Sequence, residues 1–195
     1  MIAYCRVVSA VVVMPLLGCA TPTLGAEQRM GVAGLGAAQG HPTAFVTRTA
    51  VALGVVPREG ACVAAHVEMS SGYDAVRGAD HGVLVMLGRS WQPSRIDQRV
   101  GLEILGEFGG PVLGAPAGEF IDLGARGIVS LHLSRRTIDE RNRVYSLVLR
   151  NVMLTLSVRG GARIDTGLTS GGSVSASGYM EAGVGIRFQL GTDLQ

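Results

Sequence analysis

No lysine occurs in the 195 residues, and all 17 basic side chains are arginines. A GC-rich coding bias produces that replacement by itself, so this absence excludes little. The scarcity of charge excludes more. Charged residues make up 16% of the chain and the net charge is +2. The arginines are scattered, so there is no basic stripe for nucleic acid. Cysteine is also scarce. Of Cys5, Cys19 and Cys62, the first two fall in the N-terminal stretch. Cys62 then has no disulfide partner, and no spacing suits zinc. Past the N-terminus no run of about eighteen apolar residues exists, which rules out a helical membrane span. Aromatics are few, at 5%, yet hydrophobic residues reach 47% and glycine numbers 29. The chain is too apolar to stay disordered.

What is present begins with an export signal. Met1 to Arg6 carries one positive charge, and Val7 to Leu17 is apolar over signal-peptide length. Leu16-Leu17-Gly18-Cys19 follows. It resembles the lipobox of bacterial lipoproteins, and that resemblance implies an acyl chain on Cys19 as the first mature residue. Ordinary cleavage after Ala20 or Ala26 is the alternative. Both readings export the chain. The expected division is a signal peptide and short linker over 1–26 and one domain over 27–195.

The rest of the chain alternates with period two, the period of a strand with two unlike faces. Over 61–73, Ala61, Val63, Ala65, Val67, Met69 and Tyr73 oppose Cys62, Ala64, His66, Glu68 and Ser70. Over 96–108, Val100, Leu102, Ile104 and Phe108 oppose Asp97, Arg99, Glu103 and Glu107. Over 120–133, Ile121, Leu123, Val129 and Leu131 oppose Asp122, Arg126, Ser130 and His132. Over 177–190, Met180, Val184, Ile186 and Phe188 oppose Tyr179, Glu181, Arg187 and Gln189. Weaker alternation covers 27–38, 43–56, 82–91 and 143–159, the last with a parity slip at Arg150-Asn151 that predicts a bulge. Eight such strands predict an all-β, eight-stranded antiparallel up-and-down β-barrel. Connections after the fifth and seventh strands are longer than those after the second and fourth, so long loops are expected at one end.

One parity is nearly free of charge, and the other mixes small residues with isolated charges of both signs. A soluble barrel shows polar residues to water; here the pattern predicts an apolar outside and a polar inside. Glu68, Glu103, Asp122 and Glu181 against Arg48, Arg99, Arg126 and Arg187 are expected to fill a narrow lumen as ion pairs. An eight-stranded barrel has room inside for side chains alone. With a turn at Val56 to Gly60, Arg48 is predicted opposite Glu68. Phe45, Tyr73 and Phe108 are expected at one rim, and Trp91, Tyr145 and Phe188 at the other, as interfacial girdles.

This pattern resembles the small eight-stranded outer-membrane β-barrel proteins of the outer-membrane protein A and outer-membrane protein X type, over about residues 27–190. The resemblance implies the outer membrane of a Gram-negative bacterium, with membrane lipid and the barrel-assembly machinery as partners. It implies a structural or surface-interaction role without catalysis; an external partner stays unidentified, and no cofactor or metal is expected. Two alternatives remain open at this point. One is a lipid-anchored soluble barrel with a hydrophobic ligand, as in lipocalins. The other is a lipid-modifying hydrolase built on His66 with Ser70, or on His132 with Ser130.

Overall fold

A computed structural model describes residues 20–36, 43–57, 60–75, 78–93, 98–111, 120–135, 148–165 and 175–191. Cys19 and Tyr145 lie outside them. Eight strands run through the described residues: β1 (Ala20–Leu35), β2 (Ala44–Pro57), β3 (Gly60–Asp74), β4 (Gly78–Gln92), β5 (Val100–Pro111), β6 (Phe120–Arg135), β7 (Val148–Asp165) and β8 (Ser175–Gly191). Each pairs antiparallel with its sequence neighbours, and β8 returns to β1. The result is a closed up-and-down barrel. Closure removes every sheet edge.

Closure also requires the strands to tilt. Cross-strand partners trace one circuit: Leu24, Leu53, Val67, Val85, Phe108, Leu123, Ala162, Gly178, and back to β1 at Leu35. A single turn around the barrel climbs from Leu24 to Leu35. No member of that circuit is polar, and all face outward. The irregularity at Ala33/Leu35 leaves Gly34 as the extra residue of a bulge. Its φ of 84° is open to glycine and costly for other residues.

The two ends need labels. The upper end carries connections 36–43, 75–77, 112–119 and 166–174; the lower end carries 58–59, 93–99 and 136–147. The expected contrast of long loops at one end and short turns at the other concerns connections that lie almost entirely outside the described residues.

Other boundaries differ from the sequence reading. β1 starts at Ala20, not Glu27, because Thr21 and Thr23 continue its inward parity and both are buried. β7 runs past Arg159 to Asp165, so Arg163 is a strand residue. β5 starts at Val100. Arg99 precedes the first paired residue and is exposed, so it is not part of the lumen. The parity slip at Arg150-Asn151 coincides with a register shift between Leu149 and Asn151 against β8.

The predicted opposition of Arg48 and Glu68 is wrong. Glu68 faces Ala52, and Arg48 faces Gly72. The prediction assumed a tight hairpin. Instead the last β2–β3 partners are Val55 and Ala65, and both strands run on to pair with their outer neighbours. The stagger that tilts the barrel moves the register.

Candidate functional site

The inward parity of every strand meets on the barrel axis. Six carboxylates (Glu27, Glu68, Glu103, Glu107, Asp122, Glu181) face six guanidiniums there (Arg29, Arg48, Arg126, Arg159, Arg163, Arg187). All but Glu27, which is part-buried, are shielded from solvent. A charge taken out of water is tolerated when paired and hydrogen-bonded. Each of these twelve groups lies within 4.0 Å of an opposite charge, although Arg29 Nε and Nη1, Arg159 Nε and Glu181 Oε2 lack a hydrogen-bond partner.

The pairs cross the lumen rather than linking adjacent strands. Near the top, Arg163 clamps Asp122 through Nε at 2.7 Å and Nη2 at 2.9 Å, and its guanidinium covers the Phe120 ring at 3.8 Å. Next, Arg48 Nε donates to Glu181 Oε1 at 3.1 Å. Arg159 Nε lies 2.8 Å from Glu107 Oε1, off the N–H direction, so this is a charge contact without a hydrogen bond. Tyr179 donates its hydroxyl to the same carboxylate at 2.7 Å, and Arg159 stands over the Tyr179 ring.

Midway, Arg126 donates to Glu68 at 2.6 Å and to Glu107 at 3.2 Å, and lies 3.9 Å from Glu27. Arg29 closes on Glu68 from the other side. Ser157 donates to Glu27. Below, Glu103 takes Arg187 and, at 2.8 Å, His66 Nε2. Between Glu27, His66, Glu68, Arg126 and Arg187 is a cavity of about 10 Å³ accessible to the centre of a water molecule. That holds one water at most.

At the lower mouth the charges give way to amides. Asn151 Nδ2 donates to Gln189 Oε1 at 3.3 Å and also contacts His132 Nδ1. His132 Nε2 is 3.1 Å from Gln92 Oε1, and Gln92 Nε2 donates to Ser90 Oγ at 2.8 Å. These contacts join Gln189, Asn151, His132, Gln92 and Ser90 in one chain, with donor and acceptor roles at His132 set by its tautomer.

The predicted lumen residues Arg48, Glu68, Glu103, Asp122, Arg126, Glu181 and Arg187 are therefore all placed inside and close to opposite charges, though with other partners than register alone gave. Sequence reasoning missed Glu27, Arg29, Arg159 and Arg163, and placed Glu107 on the polar parity without counting it among the lumen pairs. Their signal was parity: Arg29 continues Thr21 and Thr23, and Arg163 continues Ser157 and Arg159. The expected girdle residues Phe45, Tyr73 and Phe108 point outward near the upper end; Trp91 and Phe188 point outward near the lower end. Phe120 and Tyr179 point inward and are buried.

The outward parity bears on both alternatives. Val63, Val67, Leu102, Ile104, Leu131 and Ile186 are exposed on the wall, where a soluble ligand-binding barrel would turn them into a cavity. For hydrolysis, a nucleophile must sit within hydrogen-bonding reach of its base. His66 is bonded to Glu103, and Ser130 Oγ is buried without a hydrogen-bond partner. Among the described residues no cluster of His, Cys, Asp or Glu is arranged to hold a metal.

No family model and no curated protein matches the chain. Among solved structures, the crystal structure of Neisserial surface protein A aligns with 87% of this chain and 98% of its own, at 14% identity and a TM-score of 0.39. At that distance the likeness transfers no function.

Proposed function

We propose that this chain is a small integral barrel of the outer membrane of a Gram-negative bacterium, acting structurally or through its surface and not as a catalyst. One observation carries the reading: the apolar side chains are outside and the ion pairs are inside. Leu53 and Leu87 are 62% and 61% exposed, whereas Arg29 and Glu103 are 0% exposed. In water that arrangement costs on both counts. In a bilayer the wall contacts hydrocarbon, and a closed sheet pairs the backbone groups of its strands with one another. Membrane lipid and the barrel-assembly machinery are the partners this reading calls for.

Cell fractionation followed by gel mobility with and without boiling tests it. The expected result is a protein that stays with the outer membrane after carbonate washing and migrates faster unboiled. Release by carbonate with one mobility would refute membrane integration.

A further inference from the structure

The wall is not uniform. On β5 to β8 every outward side chain described is apolar or glycine, from Val100 through Leu190. The outward polar residues all fall on β1 to β4. Four of them are successive cross-strand partners: Gln28 with Thr49, Thr49 with Ser71, and Ser71 with His81. All four are exposed. The row rises from Gln28, midway along β1, to Ser71 and His81 near the upper rim, within two residues of Tyr73 and Ala79. Near the rim, headgroups and water serve such groups. Midway along β1 the surroundings are hydrocarbon, which offers no hydrogen bond.

Gln28 is partly served by its neighbours. Thr49 Oγ1 donates to its Oε1 at 2.6 Å, and its Nε2 donates to Thr47 Oγ1 at 3.1 Å. A side-chain amide has two donors and two acceptor lone pairs. One N–H and one lone pair on Gln28 are therefore still available, both on an outward surface. That set is self-complementary: an identical amide at the same depth accepts from it and donates to it. Two copies inserted in one direction and related by a two-fold axis along the membrane normal bring Gln28 to the same depth in each. Ala26, the next outward residue on β1, is small enough for close approach at such an interface.

We propose that the β1–β2 wall around Gln28 and Thr49 is the two-fold interface of a homodimer within the membrane. The proposal rests on the membrane-barrel reading. A lipid headgroup does not reach mid-wall, and a second copy supplies the matching amide at that depth.

The test is disulfide cross-linking in native membranes, in a parent carrying Cys62→Ser so that the lumen thiol is silent. Ala26→Cys, the next outward position on β1, leaves the Gln28 amide in place and is expected to give an oxidant-dependent band at twice the monomer mass. Val129→Cys on β6, on the opposite wall, and the parent itself are expected to give none. Gln28→Leu is expected to lose the dimer seen in mild detergent while keeping the heat-modifiable mobility of a folded monomer. A monomer throughout, equal cross-linking at Val129→Cys, or an adduct of another mass overturns the homodimer. The unboiled lane separates the two failures. Heat-modifiable, membrane-bound monomer defeats this proposal alone, while carbonate-released protein defeats the membrane reading as well.

Discussion

Arg126 is one of the side chains that tie the lumen network together. It bonds Glu68 and Glu107 and approaches Glu27, three carboxylates from three strands. Arg126→Met leaves those acids with a charge excess inside a closed sheet. Breaking a buried pair costs about 3–5 kcal/mol. We expect that loss in the urea midpoint of the folded, fast-migrating band in lipid vesicles. Arg126→Lys should recover part of it, since an ammonium supplies charge but cannot bond two acids through a planar fork. A midpoint unchanged in Arg126→Met would show that the network carries no stability. Gly54 offers a steric test. It lies across from His66, and a Cβ there would collide with the ring. Gly54→Val should cost about 1–3 kcal/mol in the same assay, the usual range for overpacking, and should displace His66 from Glu103. Which side chains point inward was legible in the sequence as parity. Who pairs with whom was not, because Glu68 with Arg126 joins β3 to β6 and Glu103 with Arg187 joins β5 to β8. Long side chains reach across a narrow lumen, and no local spacing encodes that.

At the scale of the element, β1 departs most from its sequence reading. Glycine and alanine weaken its signal, and the segment 20–26 follows closely on the apolar stretch Val7 to Leu17. Yet Ala20 to Ala26 pairs with Val51 to Pro57 on β2, and Thr23 to Ala26 pairs with Ile186 to Gln189 on β8. Removing 20–26 would expose the lower half of the β1–β2 ladder and the lower third of the β1–β8 ladder, and reopen an edge. A chain beginning at Glu27 should therefore fail to reach the fast-migrating folded form when refolded into vesicles, whereas one beginning at Ala20 should succeed. Equal folding of both would show that this stretch is dispensable. The same pairing constrains processing. Cleavage before Cys19 keeps β1 whole, and cleavage after Ala26 removes seven of its residues, so mass spectrometry of the mature N-terminus should place it upstream of Glu27. The β2–β3 register shows a different limit. Turn residues Pro57 to Gly60 were visible in the sequence, but the stagger imposed by closure is a property of all eight strands together.

For the whole molecule, the question is which solvent the wall meets, and one substitution separates the answers. Leu156 lies midway along β7, points outward and is 56% exposed. If the wall faces water, Leu156→Arg is a surface change worth no more than about 0.5 kcal/mol. If it faces hydrocarbon, an arginine near the bilayer midplane costs about 2–4 kcal/mol, falling to about 0–1 near the interface. Val100, at the lower end of β5 and equally outward, supplies the interfacial comparison. The expected result is a marked drop in the unfolding midpoint for Leu156→Arg in vesicles, with Val100→Arg close to the parent. The adjoining Ser157 faces the lumen and donates to Glu27, so the strand's parity places an outward apolar residue and a charge-facing residue side by side. Equal midpoints for Leu156→Arg and Val100→Arg would mean that depth along the wall is immaterial, and the apolar wall would then need a solvent other than a membrane.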